Sequence, residues 1–208
     1  MINNIIFDWS GVISDNAKLT YRAAMTVLKT YGGKRLSFKE FKEKWQMPYM
    51  DFYHKYLPNL TKEQQDVVFK AVYPYPKLPK PKPYRGIREF IVKCKAKDLK
   101  IFVVTSEHKD YLFSEIKEFK LDGLLDDVAC GAHDKLAGLN QIISSHQLKR
   151  RETIFIGDTD YEILVGQEAG VLTMGVVWGI HSESRLKKAK PDYLAHNIRE
   201  LEQAILIP

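Results

Sequence analysis

Short apolar runs alternate with amphipathic stretches over most of the chain. Four of these runs have the length and nearly continuous apolar character of buried parallel strands. They lie at residues 2–7, 100–104, 153–156 and 172–177. Ahead of the later runs, apolar residues recur at helical spacing, as at Ile87, Phe90 and Cys94 before the second run. The alternation predicts an α/β fold, with a Rossmann-like parallel sheet core covered by helices on both faces.

A different pattern occupies the segment between Asp15 and about Tyr84. It contains a helical apolar stripe that ends at two glycines, two capping-box patterns and no strand-like run. Prolines recur from residue 74 to residue 83, which indicates a stiff, extended connector. We therefore predict that residues 1–15 and 85–208 form the α/β core. Residues 16–84 form a small helical insertion with a Pro-rich return linker.

The composition narrows the class of protein. With 45% hydrophobic residues the chain has enough apolar material for a core, and no apolar run approaches the ~20 residues that span a bilayer. The N-terminus lacks the basic flank of a signal peptide. Cys94 and Cys130 lack metal-ligand spacing and are typical of two reduced thiols. These features predict a cytoplasmic location and no membrane partner.

The net charge of +6 raises the question of nucleic-acid binding. The lysines are scattered, however, and the two densest groups lack interleaved aromatic residues. A solvated basic surface is the simpler interpretation, and it would help to collect an anionic, phosphorylated substrate. We predict no nucleic-acid partner. The sequence contains no feature that fixes an oligomeric state.

Polar residues follow the predicted strands where a parallel sheet collects its ligands. Asp8 ends the first run, Thr105 and Ser106 end the second, and Asp158 follows the third. Lys135 begins a predicted helix between the second and the third run. A carboxylate, hydroxyl and amide donors, a lysine and further acidic groups are the residue types that handle a phosphoryl group with a divalent cation.

In this order and spacing, these elements resemble the haloacid dehalogenase superfamily of hydrolases. The stretch DWSGV at residues 8–12 matches the first motif, Thr105 the second, Lys135 the third, and Gly157-Asp158 with Glu162 the fourth. The helical insertion stands where this family carries a cap domain, so the resemblance covers nearly the whole chain. Residues 175–179 and 190–194 are similar to the phosphoglycolate-phosphatase-like branch.

The resemblance implies a Mg²⁺-dependent phosphatase that acts on a small phosphorylated metabolite. Asp8 would attack phosphorus and form an aspartyl-phosphate. The metal ligands would be the carboxylates of Asp8, Asp158 and Glu162 and the backbone carbonyl of Ser10, with Asp160 a less well placed alternative to Glu162. The phosphoryl oxygens would be held by Thr105, Ser106 and Lys135, and the lysine would also keep Asp8 ionised.

Ser10 departs from the pattern at a catalytic position. Most phosphatases of the superfamily carry a second Asp there, which protonates the leaving group and then activates water. A serine hydroxyl does neither efficiently, and such help is worth about 10²–10⁴ in rate. Weak activity is therefore one expectation, and a catalytically impaired binding or regulatory protein is an alternative.

A second alternative is a phosphonatase-like C–P hydrolase, because the opening Phe7-Asp8-Trp9 resembles that branch. Those enzymes use a cap lysine, and alignment by hand places Asp51 at the corresponding position. Asp51 and His54 are themselves candidates for an acid supplied by the inserted segment.

Overall fold

The computed structural model describes residues 1–72 and 80–207. The chain divides into two compact units, of which the first comprises Met1–Asp15 with Lys82–Pro208 and the second comprises Asn16–Pro81. Residues 73–79 of the predicted Pro-rich linker lie outside the described residues. A cap function for the second unit stays a prediction.

The first unit is built on a six-stranded, wholly parallel sheet in the order β3-β2-β1-β4-β5-β6. Its strands are β1 (Asn4–Phe7), β2 (Lys100–Val104), β3 (Asp127–Ala129), β4 (Thr153–Gly157), β5 (Leu172–Val176) and β6 (Tyr193–Ala195). The predicted Rossmann-like α/β fold is confirmed. The sequence did not reveal β3 and β6, because they are three-residue edge strands with exposed positions and lack a continuous apolar run.

The described residues of the second unit form four helices, which are α1 (Ala17–Thr30), α2 (Phe38–Lys44), α3 (Tyr49–His54) and α4 (Lys62–Val72). The predicted capping box at Ser37 forms, since the Ser37 hydroxyl accepts from the Glu40 amide and the Glu40 carboxylate accepts from the Ser37 amide. Buried aromatic rings hold this unit together. Phe41, Trp45 and Phe52 lie with ring centroids 5.0–5.6 Å apart.

In the part of the first unit that the structure describes there are six further α-helices and one 3-10 turn at Arg150–Glu152. The α-helices are α5 (Ile87–Lys95), α6 (Lys109–Glu118), α7 (Lys135–Ser145), α8 (Asp160–Glu168), α9 (Glu183–Lys188) and α10 (Ile198–Leu206). Successive β1 residues point to opposite faces of the sheet, so Ile5 and Phe7 pack in the cluster with α5, α6 and α10, whereas Ile6 packs in the cluster with α7 and α8. Apolar side chains on both faces hold the strand ends, and the loops that follow them, in fixed positions.

Candidate active site

The loops that carry the predicted site residues leave the sheet at one edge. Phe7, the last residue of β1, is in register with Val103 of β2 and Ile156 of β4. Asp8 extends β1 by one further bond, since its amide donates to the Ile156 carbonyl at 2.9 Å. The central position of β1 therefore places the Asp8 loop between the loops that follow β2 and β4.

Four predicted residues meet in a buried cluster at this edge. The ammonium nitrogen of Lys135 lies 2.9 Å from Asp8 Oδ1 and 2.6 Å from Glu162 Oε1. Asp8, Asp158 and Glu162 each offer one carboxylate oxygen within 4.8 Å of the other two. All four residues are at most 4% exposed to solvent. Residues from three separate parts of the sequence thus form one charged site.

Burial and mutual repulsion decide the protonation of this cluster. Burial raises the pKa of Asp8 to about 6, with the charge of Glu162 adding to the rise and Lys135 opposing it. The pKa of Asp158 is raised well above its usual value, first by burial and then by the charges of Glu162 and Asp8. Burial also acts to raise the pKa of Glu162, but Lys135 and a bond from Thr159 outweigh it, so that this pKa is lowered.

The pKa of Lys135 is raised, because attraction by Asp8 and Glu162 exceeds the opposing effect of burial. The lysine is therefore charged, and one ammonium faces three carboxylates. Asp8 Oδ1 is fully buried, and the Lys135 ammonium that lies 2.9 Å away is shared with Glu162. An excess of buried carboxylate oxygen is what a divalent cation neutralises, so the residues present fit a hard cation such as Mg²⁺.

The two oxygens of Glu162 are already engaged by protein groups. Oε1 pairs with Lys135, and Oε2 accepts from the Thr159 amide at 3.0 Å and from the Thr159 hydroxyl. Asp158 Oδ2 accepts from the Ile180 amide at 2.6 Å. Glu162 therefore orients Lys135 and the start of α8 in this structure, a contact that the sequence did not reveal.

Two glycines, Gly11 and Gly179, make room for the Asp158 carboxylate. A Cβ atom on either would overlap Asp158 Oδ2, and Gly11 also has a positive φ of 81°. The glycine of the DWSGV stretch is thus required both for its backbone conformation and for the close approach of a carboxylate.

Gly11→Ala is expected to lower the free energy of unfolding by about 1–3 kcal/mol more than Gly123→Ala, because it adds an overlap to the same conformational strain. Gly123 is the matched control, since its φ is 71° and no atom lies within 4 Å of an added Cβ. Urea denaturation of the two variants gives the comparison. Equal losses of stability would contradict the assigned role of Gly11 as a space for Asp158.

The predicted phosphate-binding residues lie in the loop after β2. Thr105 is buried, and its hydroxyl oxygen accepts from the Glu107 amide at 3.2 Å, whereas Ser106 is half-buried. Ser10 is half-buried after β1, and its hydroxyl donates to Glu107 Oε1 at 2.7 Å. Glu107 was not among the residues that the sequence singled out.

Other candidates from the sequence occupy different surroundings. Asp160 accepts from Arg185 at 2.7 Å, an ion pair that gives it a partner outside the carboxylate cluster. In the helical unit, Asp51 and His54 are exposed, and His54 Nε2 lies 3.0 Å from the Leu60 carbonyl oxygen. These contacts tie Asp160 and His54 to local structure.

Among the described residues, no helix is long and apolar enough to cross a bilayer.

Comparisons with known proteins support the fold and identify the family. The profile of the haloacid dehalogenase-like hydrolase family matches residues 5–176. The chain therefore belongs to that family, and it is an enzyme of the hydrolase class. The resemblance to its phosphoglycolate-phosphatase-like branch, predicted from the motifs, is confirmed.

Individual relatives extend the likeness over almost the full length. The chain is 26% identical to the pyrophosphatase PpaX of Halalkalibacterium halodurans over 207 residues, which cover 96% of this chain and 95% of the relative. A haloacid dehalogenase-like family hydrolase from Streptococcus pneumoniae superposes with a TM-score of 0.82 at 20% identity, covering 100% of this chain and 99% of that one. A predicted phosphatase from Clostridium acetobutylicum gives 0.81 at 22% identity, covering 99% of each chain.

Proposed function

We propose that this protein is a Mg²⁺-dependent phosphatase that hydrolyses a small phosphorylated metabolite through an aspartyl-phosphate on Asp8. The observation that carries the proposal is the meeting of Asp8, Asp158, Glu162 and Lys135 within one buried cluster. Family membership and a relative named as a pyrophosphatase support the same type of reaction.

In this proposal the carboxylate of Asp8 attacks phosphorus, and the bond to the leaving group breaks. Lys135 holds Asp8 ionised and neutralises negative charge on the transferred phosphoryl group. The hydroxyl of Thr105 and the amide of Ser106 bind phosphoryl oxygens after β2. Water then attacks the aspartyl-phosphate, which releases phosphate and regenerates Asp8.

The proposed metal ligands are the carboxylates of Asp8 and Asp158 and the backbone carbonyl of Ser10. Glu162 supports them by holding Lys135, and it remains a candidate for contact with the cation through water. Bound Mg²⁺ would supply positive charge to the phosphoryl oxygens during transfer. Three carboxylates that share a single buried lysine support a role for a cation.

A metal titration tests the proposal directly. Purified protein, first treated with EDTA, is assayed for phosphate release from pyrophosphate, acetyl phosphate and an alkyl phosphate. Turnover is expected to be absent in EDTA and to rise with added Mg²⁺ to a plateau. Turnover that is the same in EDTA and in Mg²⁺ would reject the metal-dependent mechanism.

The alternative of a catalytically impaired binding or regulatory protein rests on Ser10 alone. It predicts binding of phosphate compounds without release of phosphate. Any turnover that depends on Asp8 would exclude it. The phosphonatase-like alternative needs a reactive lysine, and Asp51 stands at the aligned position in α3.

A further inference from the structure

The side chain of Ser10 has a carboxylate beside it. Its hydroxyl donates to Glu107 Oε1 at 2.7 Å, although the two residues are 97 positions apart in the sequence. Ser10 lies two residues beyond Asp8, after β1, and Glu107 lies two residues beyond Thr105, after the neighbouring strand β2. The position where a carboxylate is missing from the sequence therefore has one next to it in space.

The backbone holds Glu107 in this place. Its amide donates to Thr105 Oγ1 at 3.2 Å, and its carbonyl oxygen accepts from the Gly131 amide at 2.9 Å. Ser10 and Glu107 are both half-buried, so the pair is packed against the protein and also reaches solvent. A proton-transferring group needs both a fixed position and access to the leaving group and to water.

Two other carboxylates near this edge, Glu162 and Glu115, contact groups other than Ser10. Glu162 uses both oxygens on Lys135 and Thr159. Glu115 accepts from the indole N–H of Trp9 at 2.7 Å, and Trp9 is fully buried. Glu115 therefore contacts a side chain that is packed inside the protein. Glu107 differs from these two in that its carboxylate accepts a hydrogen bond from the residue at the acid/base position.

We propose that Glu107 is the catalytic carboxylate that transfers the proton in the phosphatase reaction, and that Ser10 is the residue that positions it. This inference rests on the function proposed above. In the first step Asp8 attacks phosphorus, the bond to the leaving oxygen breaks, and the carboxylic acid of Glu107 gives its proton to that oxygen. In the second step the Glu107 carboxylate takes a proton from the water that attacks the aspartyl-phosphate. Phosphate leaves, Asp8 is regenerated and Glu107 is protonated again.

The test compares Glu107→Gln with the double variant Ser10→Asp/Glu107→Gln, which moves the carboxylate to the position where most relatives carry it. The full chain is assayed in Mg²⁺ with an alkyl phosphate and with an aryl phosphate whose phenol is acidic. Glu168→Gln is the matched control, because it removes an exposed carboxylate from the end of α8 in the same unit. Circular dichroism confirms that each variant is folded.

In Glu107→Gln, kcat/KM for the alkyl phosphate is expected to fall by about 10²–10⁴-fold, the usual value of acid–base help. For the aryl phosphate, kcat/KM is expected to fall by less than about tenfold, since a good leaving group departs without a proton. The aspartyl-phosphate would then form quickly and hydrolyse slowly. A burst of one phenol per active site should appear, which a merely structural role of Glu107 would not produce.

The double variant is expected to recover alkyl phosphate hydrolysis by at least about tenfold over Glu107→Gln. The inference is overturned by an equal loss on both substrates without a burst, by an unchanged rate on the alkyl phosphate, or by a folded double variant with no recovery. These outcomes leave the phosphatase proposal intact if the wild type is active and Asp8→Asn is not. A wild type inactive on both substrates would overturn the two proposals together.

Discussion

Asp8→Asn is expected to abolish Mg²⁺-dependent phosphate release, with kcat falling by about 10⁴–10⁶-fold, the range seen when a nucleophile or its direct partner is removed. The amide keeps the shape of the side chain but cannot form the covalent intermediate. Phosphate release from acetyl phosphate in saturating Mg²⁺ is the measurement. Asp122→Asn is the matched control, because Asp122 is an exposed carboxylate in the same unit.

The same substitution should separate catalysis from stability. The folded-state pKa of Asp8, about 6, lies above its ordinary value of 3.8, so the folded protein binds this proton more tightly than the unfolded chain does. The contribution of Asp8 to stability is therefore lost as pH rises from about 4 through 6. Asn removes this term, and the melting temperature of Asp8→Asn at pH 8 in EDTA should not fall below that of the wild type.

Mg²⁺ should change the difference in melting temperature between the wild type and Asp8→Asn. A cation whose free concentration is 100 times its dissociation constant stabilises the folded state by about 2.7 kcal/mol. Wild-type protein is expected to melt at a higher temperature in Mg²⁺ than in EDTA, and Asp8→Asn should show a smaller rise. An inactive variant with an unchanged response to Mg²⁺ would remove Asp8 from the metal ligands while leaving it as the nucleophile.

Lys135→Met is expected to have the largest effect on stability, a loss of about 3–5 kcal/mol at pH 8 without metal. The lysine is 3% exposed and pairs with both Asp8 and Glu162. Without it, the three carboxylates, each with one oxygen within 4.8 Å of the other two, lose the ammonium that neutralises them. Activity should disappear as well, since the phosphoryl group loses its ammonium partner.

The pH dependence identifies the cause of that loss. With the ammonium gone, the folded-state pKa values of Asp8 and Glu162 should rise, so the folded variant binds protons more tightly than the unfolded chain. Its stability should fall as pH rises from 6 to 8 and recover in acid or in Mg²⁺. Urea denaturation at several pH values tests this, with exposed Lys117→Met as the control. A loss of equal size at every pH would point to packing and not to charge.

Particular elements show how far the sequence reaches. Strands β1, β2, β4 and β5 were predicted because they are buried on both faces and are therefore continuous apolar runs. The two edge strands were missed, since β3 and β6 are short and partly exposed. Burial restricts a strand to apolar residues, so the buried central strands could be predicted from the sequence. The partly exposed edge strands are not restricted in this way, and they could not be predicted.

The site residues could be predicted from the sequence, but the contacts between them could not. Asp8, Thr105, Lys135 and Asp158 were identified because each follows a strand or opens a helix at a position that local patterns fix. The partnership of Lys135 with Glu162 and the fit of Gly11 around Asp158 were not visible, because they depend on distances between loops.

By itself, the sequence determined the family, the parallel sheet and the residue types at the ends of its strands, since periodicity and motif spacing are local properties of the chain. Only the tertiary structure decided which charges face one another and that Glu107 stands beside Ser10. Side-chain contacts across a sheet edge follow from strand order and register, and those are set by packing between distant segments. The serine that looked like a missing acid is, in the folded chain, the neighbour of a carboxylate.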